Sequence, residues 1–285
     1  MRGSILGNLL NKYLMRATMP LIKSRKGLVV LTLHNITEDH HEWFKNLLEL
    51  IRREYSFAEP DDLEKWFMQN NLERGTKVLL SFDDGFYSNI VITEKYLREF
   101  GVKAMYFITE KFIGLDSEAS FSFAKNNFFP NSDISTNNKN SFSSMSWNDV
   151  KRLIELGHVI GGHSSTHQRL STLTDANKIV DETISSSDRI SDLIGQQVTH
   201  YAFPFGKHNS IDSKILDSLI YRYKYIYSNI RGNLNDSVNS QFIYRQNIVP
   251  GDPNWLIKSI IDGKLDWRYR NIRKYCNRKI EQLTK

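Results

Sequence analysis

The apolar positions of this 285-residue chain follow two alternating rhythms. Short, nearly unbroken apolar runs at 27–34, 77–82, 103–108, 158–161, 198–203, 223–227 and 241–244 predict buried strands. Between them, apolar residues return at helical spacing. Trp43, Phe44, Leu47, Leu48 and Ile51 predict a helix over 42–55. Pro60-Asp61-Asp62 opens a helix over 63–70. A helix over 87–100 is closed by Gly101. Ser146 caps a helix that Gly157 closes, and two more are predicted over 174–194 and 210–219. Strand and helix alternate with no internal repeat. That order predicts an α/β fold with a parallel sheet, open or closed into a barrel. Residues 115–144 break the rhythm. They are rich in Ser and Asn and carry phenylalanines at 121, 123, 128, 129 and 142. We read them as a long insertion, a partly ordered loop that covers something, against the plainer reading of a disordered loop.

The polar motifs fall at the carboxyl ends of predicted strands, where such sheets place their active sites. The run 77–82 ends in Asp83-Asp84-Gly85. Two adjacent carboxylates at the end of a buried strand repel each other, and desolvation adds to the cost. A cation removes that cost, with one carboxylate as ligand and its neighbour as base. The plainer reading is a helix cap followed by a turn acid. His163 and His167 stand four residues apart, and on a helical turn that spacing brings two imidazoles to one face. Two imidazoles alone are weak evidence, because most histidines are simply packed or exposed. With Asp84 they make the two-nitrogen, one-oxygen donor set of a catalytic zinc site with an open position. Asp83 is then the general base.

Composition is that of a soluble globular protein, 40% hydrophobic and 25% charged, which excludes a disordered or fibrous chain. The net charge of +6 is gathered at the ends. Six basic residues and no acid precede Glu38; nine basic residues against three acids follow Ile257. Such ends suit an anionic membrane surface or an acidic polymer, or are merely solvated. The single cysteine, Cys276, excludes an internal disulfide framework. No apolar run is long enough to span a bilayer, and the start has no clean signal peptide. Ile5, Leu6, Leu9, Leu10, Tyr13 and Leu14 recur at helical spacing, as an interfacial helix or as one packed on the barrel. We divide the chain into a basic amphipathic segment (1–26), a catalytic domain (27–250) and a basic helical extension (251–285).

Taken together, the motifs resemble the polysaccharide deacetylase family, the NodB-homology or carbohydrate esterase 4 group. Ser81-Phe82-Asp83-Asp84-Gly85 fits the first family motif and His163-Ser164-Ser165-Thr166-His167 the second. Tyr201-Ala202-Phe203-Pro204-Phe205-Gly206 stands at the third. The resemblance runs from about Gly27 to Pro250. It implies a distorted (β/α)7-type barrel in one domain. It also implies metal-dependent hydrolysis of an N-acetyl group on an amino sugar, in a polysaccharide or its lipid- or nucleotide-linked precursor. Asp84, His163 and His167 would bind the metal, most simply Zn2+, with Co2+, Ni2+ or Mn2+ fitting the same donors. Asp83 would be the base. The Phe205 N–H, with Pro204 beside it, would hold the oxyanion.

Two departures bear on mechanism. Where many members carry a base-orienting arginine in the third motif, this chain has Ala202 and Phe203, so Arg245 is the candidate for that role. Where many carry a late Leu-x-His acid, the only histidine after Phe203 is His208. His34, ending the first strand, is then the candidate acid, or simply caps the strand. The competing class is a catalytically weak or inactive deacetylase-fold protein that binds metal and glycan. Nucleic-acid binding is not expected, because no reading element accompanies the basic ends. The expected partner is an N-acetylated glycan or glycan precursor. The expected location is the cytoplasm or the cytoplasmic face of the membrane.

Overall fold

The computed structural model describes residues 24–69, 75–130, 132, 136–208 and 213–284. The proposed amphipathic helix near the start therefore lies outside the described residues.

Strands β1 (Gly27–Leu33), β2 (Ser56–Phe57), β3 (Thr76–Asp84), β4 (Ala104–Ile108), β5 (Val159–Gly162), β6 (His200–Ala202), β7 (Tyr225–Tyr227) and β8 (Gln246–Asn247) form one sheet. Seven of them run in the order β7-β6-β5-β4-β3-β1-β8, and β2 adds to β3 beside this path. The paired strands are parallel throughout. The sheet curls into a half-barrel, the distorted (β/α) barrel that the family resemblance implies.

Side-chain alternation along the strands sorts the core into two layers. Leu28 and Val30 of β1, Leu79 of β3, Met105 and Phe107 of β4, and Tyr225 and Tyr227 of β7 pack together on the inner face. Val29, Leu31, Leu33, Val78, Leu80, Phe82 and Tyr106 face outward against the helices, among them Phe44, Leu47 and Ile51 of the helix His41–Glu54. Gly161 lies opposite the Phe107 ring, and a Cβ there would collide with that ring.

The closing segment departs from expectation. The apolar run predicts a strand over 241–244, but only Ile243 bridges there, to Tyr227. The ladder of β8 forms just beyond, against Leu31 and Thr32 of β1. The chain thus crosses from the β7 edge to the β1 edge within a few residues. Arg245 is caught between the two edges. Strand 198–203 is likewise shorter than its apolar run.

The helices follow the periodicity closely. The helix at 87–100 contains a wider π turn, Thr93–Leu97, as does that at 176–194, Asp181–Ser185. Ser146 and Asp149 form a reciprocal capping box at the start of Trp147–Glu155. The insertion is built rather than loose. It contains a helix, Ser117–Phe123, a π turn, Ala124–Phe128, and a 3-10 segment, Thr136–Phe142. Its phenylalanines give the reason. Phe128 is buried with Phe86 and Phe112, and Phe123, Phe129 and Phe142 pack around them. Beyond the barrel, the chain ends in helices Asn254–Ile261 and Arg270–Leu283.

Candidate metal centre

Strand alternation aims Asp83 inward, in step with Leu79 and Ser81. It is 2% exposed, and there it meets Arg245, which is fully buried. The guanidinium holds the carboxylate with two parallel bonds, Nη1 to Oδ1 at 2.8 Å and Nη2 to Oδ2 at 2.7 Å. Its Nε donates to the Ser228 carbonyl at 2.9 Å, and it lies over the Phe107 and Tyr227 rings. A buried guanidinium with its donors and π faces engaged is tolerable, and it fixes the orientation of its partner. Burial pushes the Asp83 pKa up, but Arg245, with help from His163, overcomes this and brings it down to about 2.

Asp84 should point the other way by alternation. Its backbone instead takes a left-handed φ of 80°, which a non-glycine residue adopts only at a cost. The carboxylate faces His163 and His167, whose Nε2 atoms each lie 3.5 Å from Asp84 Oδ1. One donor atom from each of the three residues lies within 4.8 Å of the other two. Burial, then the neighbouring Asp83 charge, pushes the Asp84 pKa well above the usual carboxylate range.

The two histidines do not sit on a helical turn, contrary to the expectation from their spacing. The segment between them is irregular, with positive φ at Ser164 (68°) and His167 (61°). Hydrogen bonds maintain that shape. The His167 N–H donates to Ser164 Oγ at 2.8 Å. Glu182, buried, accepts from the Thr166 N–H at 2.9 Å and from the Thr166 hydroxyl at 2.5 Å. The Ser165 hydroxyl donates to Glu110, itself paired with Arg189. Each imidazole is also oriented from behind. His163 Nδ1 donates to the Ala202 carbonyl at 2.8 Å and His167 Nδ1 to the Asn127 carbonyl at 3.1 Å. Carbonyls only accept, so both Nδ1 atoms carry the proton and both Nε2 lone pairs face Asp84. Desolvation holds both rings neutral, lowering His163 to about 4 and His167 well below the ordinary histidine value.

These residues fit a divalent cation. Asp84 Oδ1 is buried and has no hydrogen-bond partner, an expensive arrangement for a carboxylate. Two neutral imidazoles and one carboxylate are the donors such an ion requires.

Of the other predicted residues, Phe205 stands beside the centre. Its ring lies 4.6 Å from that of His167, and its φ of 60° is left-handed. Pro204 is buried next to it. His34 is half-buried at the end of β1 and within the electrostatic reach of Asp83, His163 and His167. Desolvation lowers its pKa; Asp83 opposes that and Arg245 adds to it. Sequence reasoning missed the Ala202 and Asn127 carbonyls, because any residue supplies a carbonyl. It also missed Glu182, whose helix carries no motif.

With this geometry in view, comparison with known proteins is direct. The polysaccharide deacetylase family profile matches residues 71–223, more than half of the chain. The chain belongs to the polysaccharide deacetylase family, a family of N-deacetylase hydrolases. IcaB from Ammonifex degensii superposes with a TM-score of 0.62 at 18% identity, over 84% of this chain and 98% of that one. The Streptococcus pyogenes deacetylase PplD gives 0.60 at 15% identity, over 84% and 99%. A de-N-acetylase from Aggregatibacter actinomycetemcomitans gives 0.63 at 15% identity, over 82% and 99%. An uncharacterized 30.6 kDa protein of Geobacillus stearothermophilus is 40% identical over 55 residues, 19% of this chain and 20% of that protein. The match thus spans about a fifth of that relative.

Proposed function

We propose that the protein is a metal-dependent hydrolase that removes N-acetyl groups from an amino sugar, in a polysaccharide or its lipid- or nucleotide-linked precursor. The observation that carries this reading is a pair of adjacent carboxylates given opposite environments. Asp84 is unpaired and faces two neutral imidazoles. Asp83 is locked to Arg245. Asp84, His163 and His167 hold the cation, with zinc first among the candidates. When bound, the cation supplies Lewis-acid polarisation and the means of making water nucleophilic near neutral pH.

The chain's own groups do the rest. Asp83, ionised down to about pH 2, accepts a proton without leaving its place, because both oxygens are held by Arg245. Among the described residues the Phe205 N–H has no acceptor in the chain, which suits it to the oxygen of the scissile amide as charge develops there. We assign to His34, within the electrostatic reach of Asp83, the return of a proton to the leaving amine. Arg245 orients the base and touches no reacting atom.

The test is acetate release from short N-acetylglucosamine oligomers and from a nucleotide-linked N-acetyl sugar. Metal-stripped, zinc-reloaded and Asp83→Asn proteins are compared. Zinc-dependent release that falls by about 10²–10⁴ in Asp83→Asn is expected from loss of a general base. A second reading, a weak or inactive glycan-binding protein, draws on His34, which burial keeps neutral and so unready as an acid. Zinc binding without acetate release from any of these sugars would favour it.

We further propose peripheral attachment to an anionic membrane surface, on its cytoplasmic side. The support is a helical C-terminal end with exposed Trp267, Arg268, Arg270, Lys274 and Tyr275. No described helix is long and apolar enough to cross a bilayer.

A further inference from the structure

The metal centre receives one of its supports from an unexpected quarter. Asn127, whose carbonyl accepts the His167 Nδ1 proton, lies in the insertion, 40 residues before the histidine. The next residue, Phe128, meets the same imidazole edge-on, with ring centroids 4.8 Å apart and planes at 86°. Phe128 also packs on Phe86 at 5.3 Å and on Phe112 at 5.0 Å. Phe86 comes two residues after Asp84. Phe112 follows Lys111, whose N–H donates to the Ser165 carbonyl between the two histidines. One buried phenylalanine therefore touches His167, the Phe86 ring just after Asp84, and the Phe112 ring, whose neighbour Lys111 holds the histidine segment. The same arm, from Asn127 to Pro130, walls a cleft of about 410 Å³ that is also lined by His167 and Phe205.

Resting on the metal-dependent reading above, we infer that the aromatic insertion is a working part of the metal centre: Asn127 and Phe128 position His167, so that cation binding and ordering of the arm are coupled. The carbonyl selects the tautomer that presents Nε2. The Phe128 ring blocks the rotation that would carry the imidazole away from Asp84. Linkage makes the effect reciprocal. If the ordered arm raises affinity for the cation by some factor, the cation favours the ordered arm by the same factor. Asn127 and Phe128 are thus positioning residues.

The test measures zinc affinity by competition with a chelating dye, alongside hydrogen exchange of the arm with and without zinc. Phe128→Ala is expected to weaken zinc binding by about 10–100-fold, the usual effect of removing a support behind a ligand. In the wild type, amides of 120–129 are expected to exchange more slowly once zinc is bound. Because removing a buried ring can unfold a protein, Phe128→Leu is measured in parallel. It keeps most of the packing but loses the ring edge, and a loss of several-fold is expected. A folded Phe128→Ala or Phe128→Leu protein with wild-type zinc affinity overturns the inference, as does arm exchange indifferent to zinc. Wild-type protein that takes up no zinc overturns the metal-dependent reading as well. Zinc uptake indifferent to Phe128 overturns only the role of the arm.

Discussion

Asp83 and Asp84 are neighbours in sequence with opposite chemistry, and the division comes from the backbone. Alternation turns Asp83 into the barrel, where Arg245 neutralises it. A left-handed φ turns Asp84 toward the histidines. The pairing of Asp83 with Arg245 makes a prediction about stability. Arg245→Met leaves a buried carboxylate without its partner, which typically costs about 3–5 kcal/mol. Urea unfolding should show a loss of that order. It should be much smaller when Arg245→Met is combined with Asp83→Asn, because no charge is then stranded. Equal losses in the single and double variants would show that the arginine contributes packing and not charge pairing. His158 supplies a pH-dependent counterpart away from the centre. Its Nδ1 accepts the Ala104 N–H at 3.0 Å, so the folded ring is neutral. Desolvation, with Lys103 adding, lowers its pKa to about 4. Between about pH 6.5 and 4 the unfolded chain binds a proton there that the native state does not. Stability therefore falls as pH falls through that window, by up to about 1.4 kcal/mol per pH unit for such a group. His158→Gln should flatten the slope by that amount in urea melts at a series of pH values.

At the scale of elements, the site depends on pieces that shape irregular chain. The segment from His163 to His167 holds two left-handed residues, Ser164 and His167, and Glu182 clamps its middle with both oxygens on Thr166. Glu182→Gln leaves one carbonyl oxygen for two donors. A loss of about 1–3 kcal/mol in stability is expected from the unsatisfied group, together with weaker zinc binding. Unchanged zinc titration in a folded Glu182→Gln protein would limit Glu182 to a structural part. The elements themselves were largely legible. Helices at 41–54 and 87–100 follow from their apolar spacing, and the cap at Ser146 is visible as a motif. The misses share a cause. The closing strand and the histidine segment are set by what they meet across the barrel, and local periodicity carries no record of that. The insertion has no period because its phenylalanines point at one another across a compact arm.

At the scale of the molecule, closure of the barrel assembles the chemistry. Arg245 reaches Asp83 across 162 residues because the chain joins the two sheet edges at that point. The C-terminal helices brace this crossing. Gln246 donates to buried Asp266 at 2.7 Å, and Arg273 donates to the carbonyls of Asp266 and Arg231. A cation bound only by the folded state should stabilise the whole. Free zinc at a thousand times its Kd adds about 4 kcal/mol, so chelation should lower the melting temperature by on the order of 10 °C. A melt indifferent to chelator would mean that the three donors do not hold zinc in solution. The alternating α/β order, the strand ends that bear the polar motifs and the residue types at the centre were all legible in the sequence. They were legible because apolar periodicity and motif spacing are local properties of the chain. Folding alone settled that Arg245, a candidate from the sequence, grips Asp83 with both nitrogens, that a left-handed turn brings Asp84 to the histidines, and that the insertion lies against His167. Those outcomes depend on backbone angles and on contacts between distant residues, which are fixed when the sheet closes and the core packs.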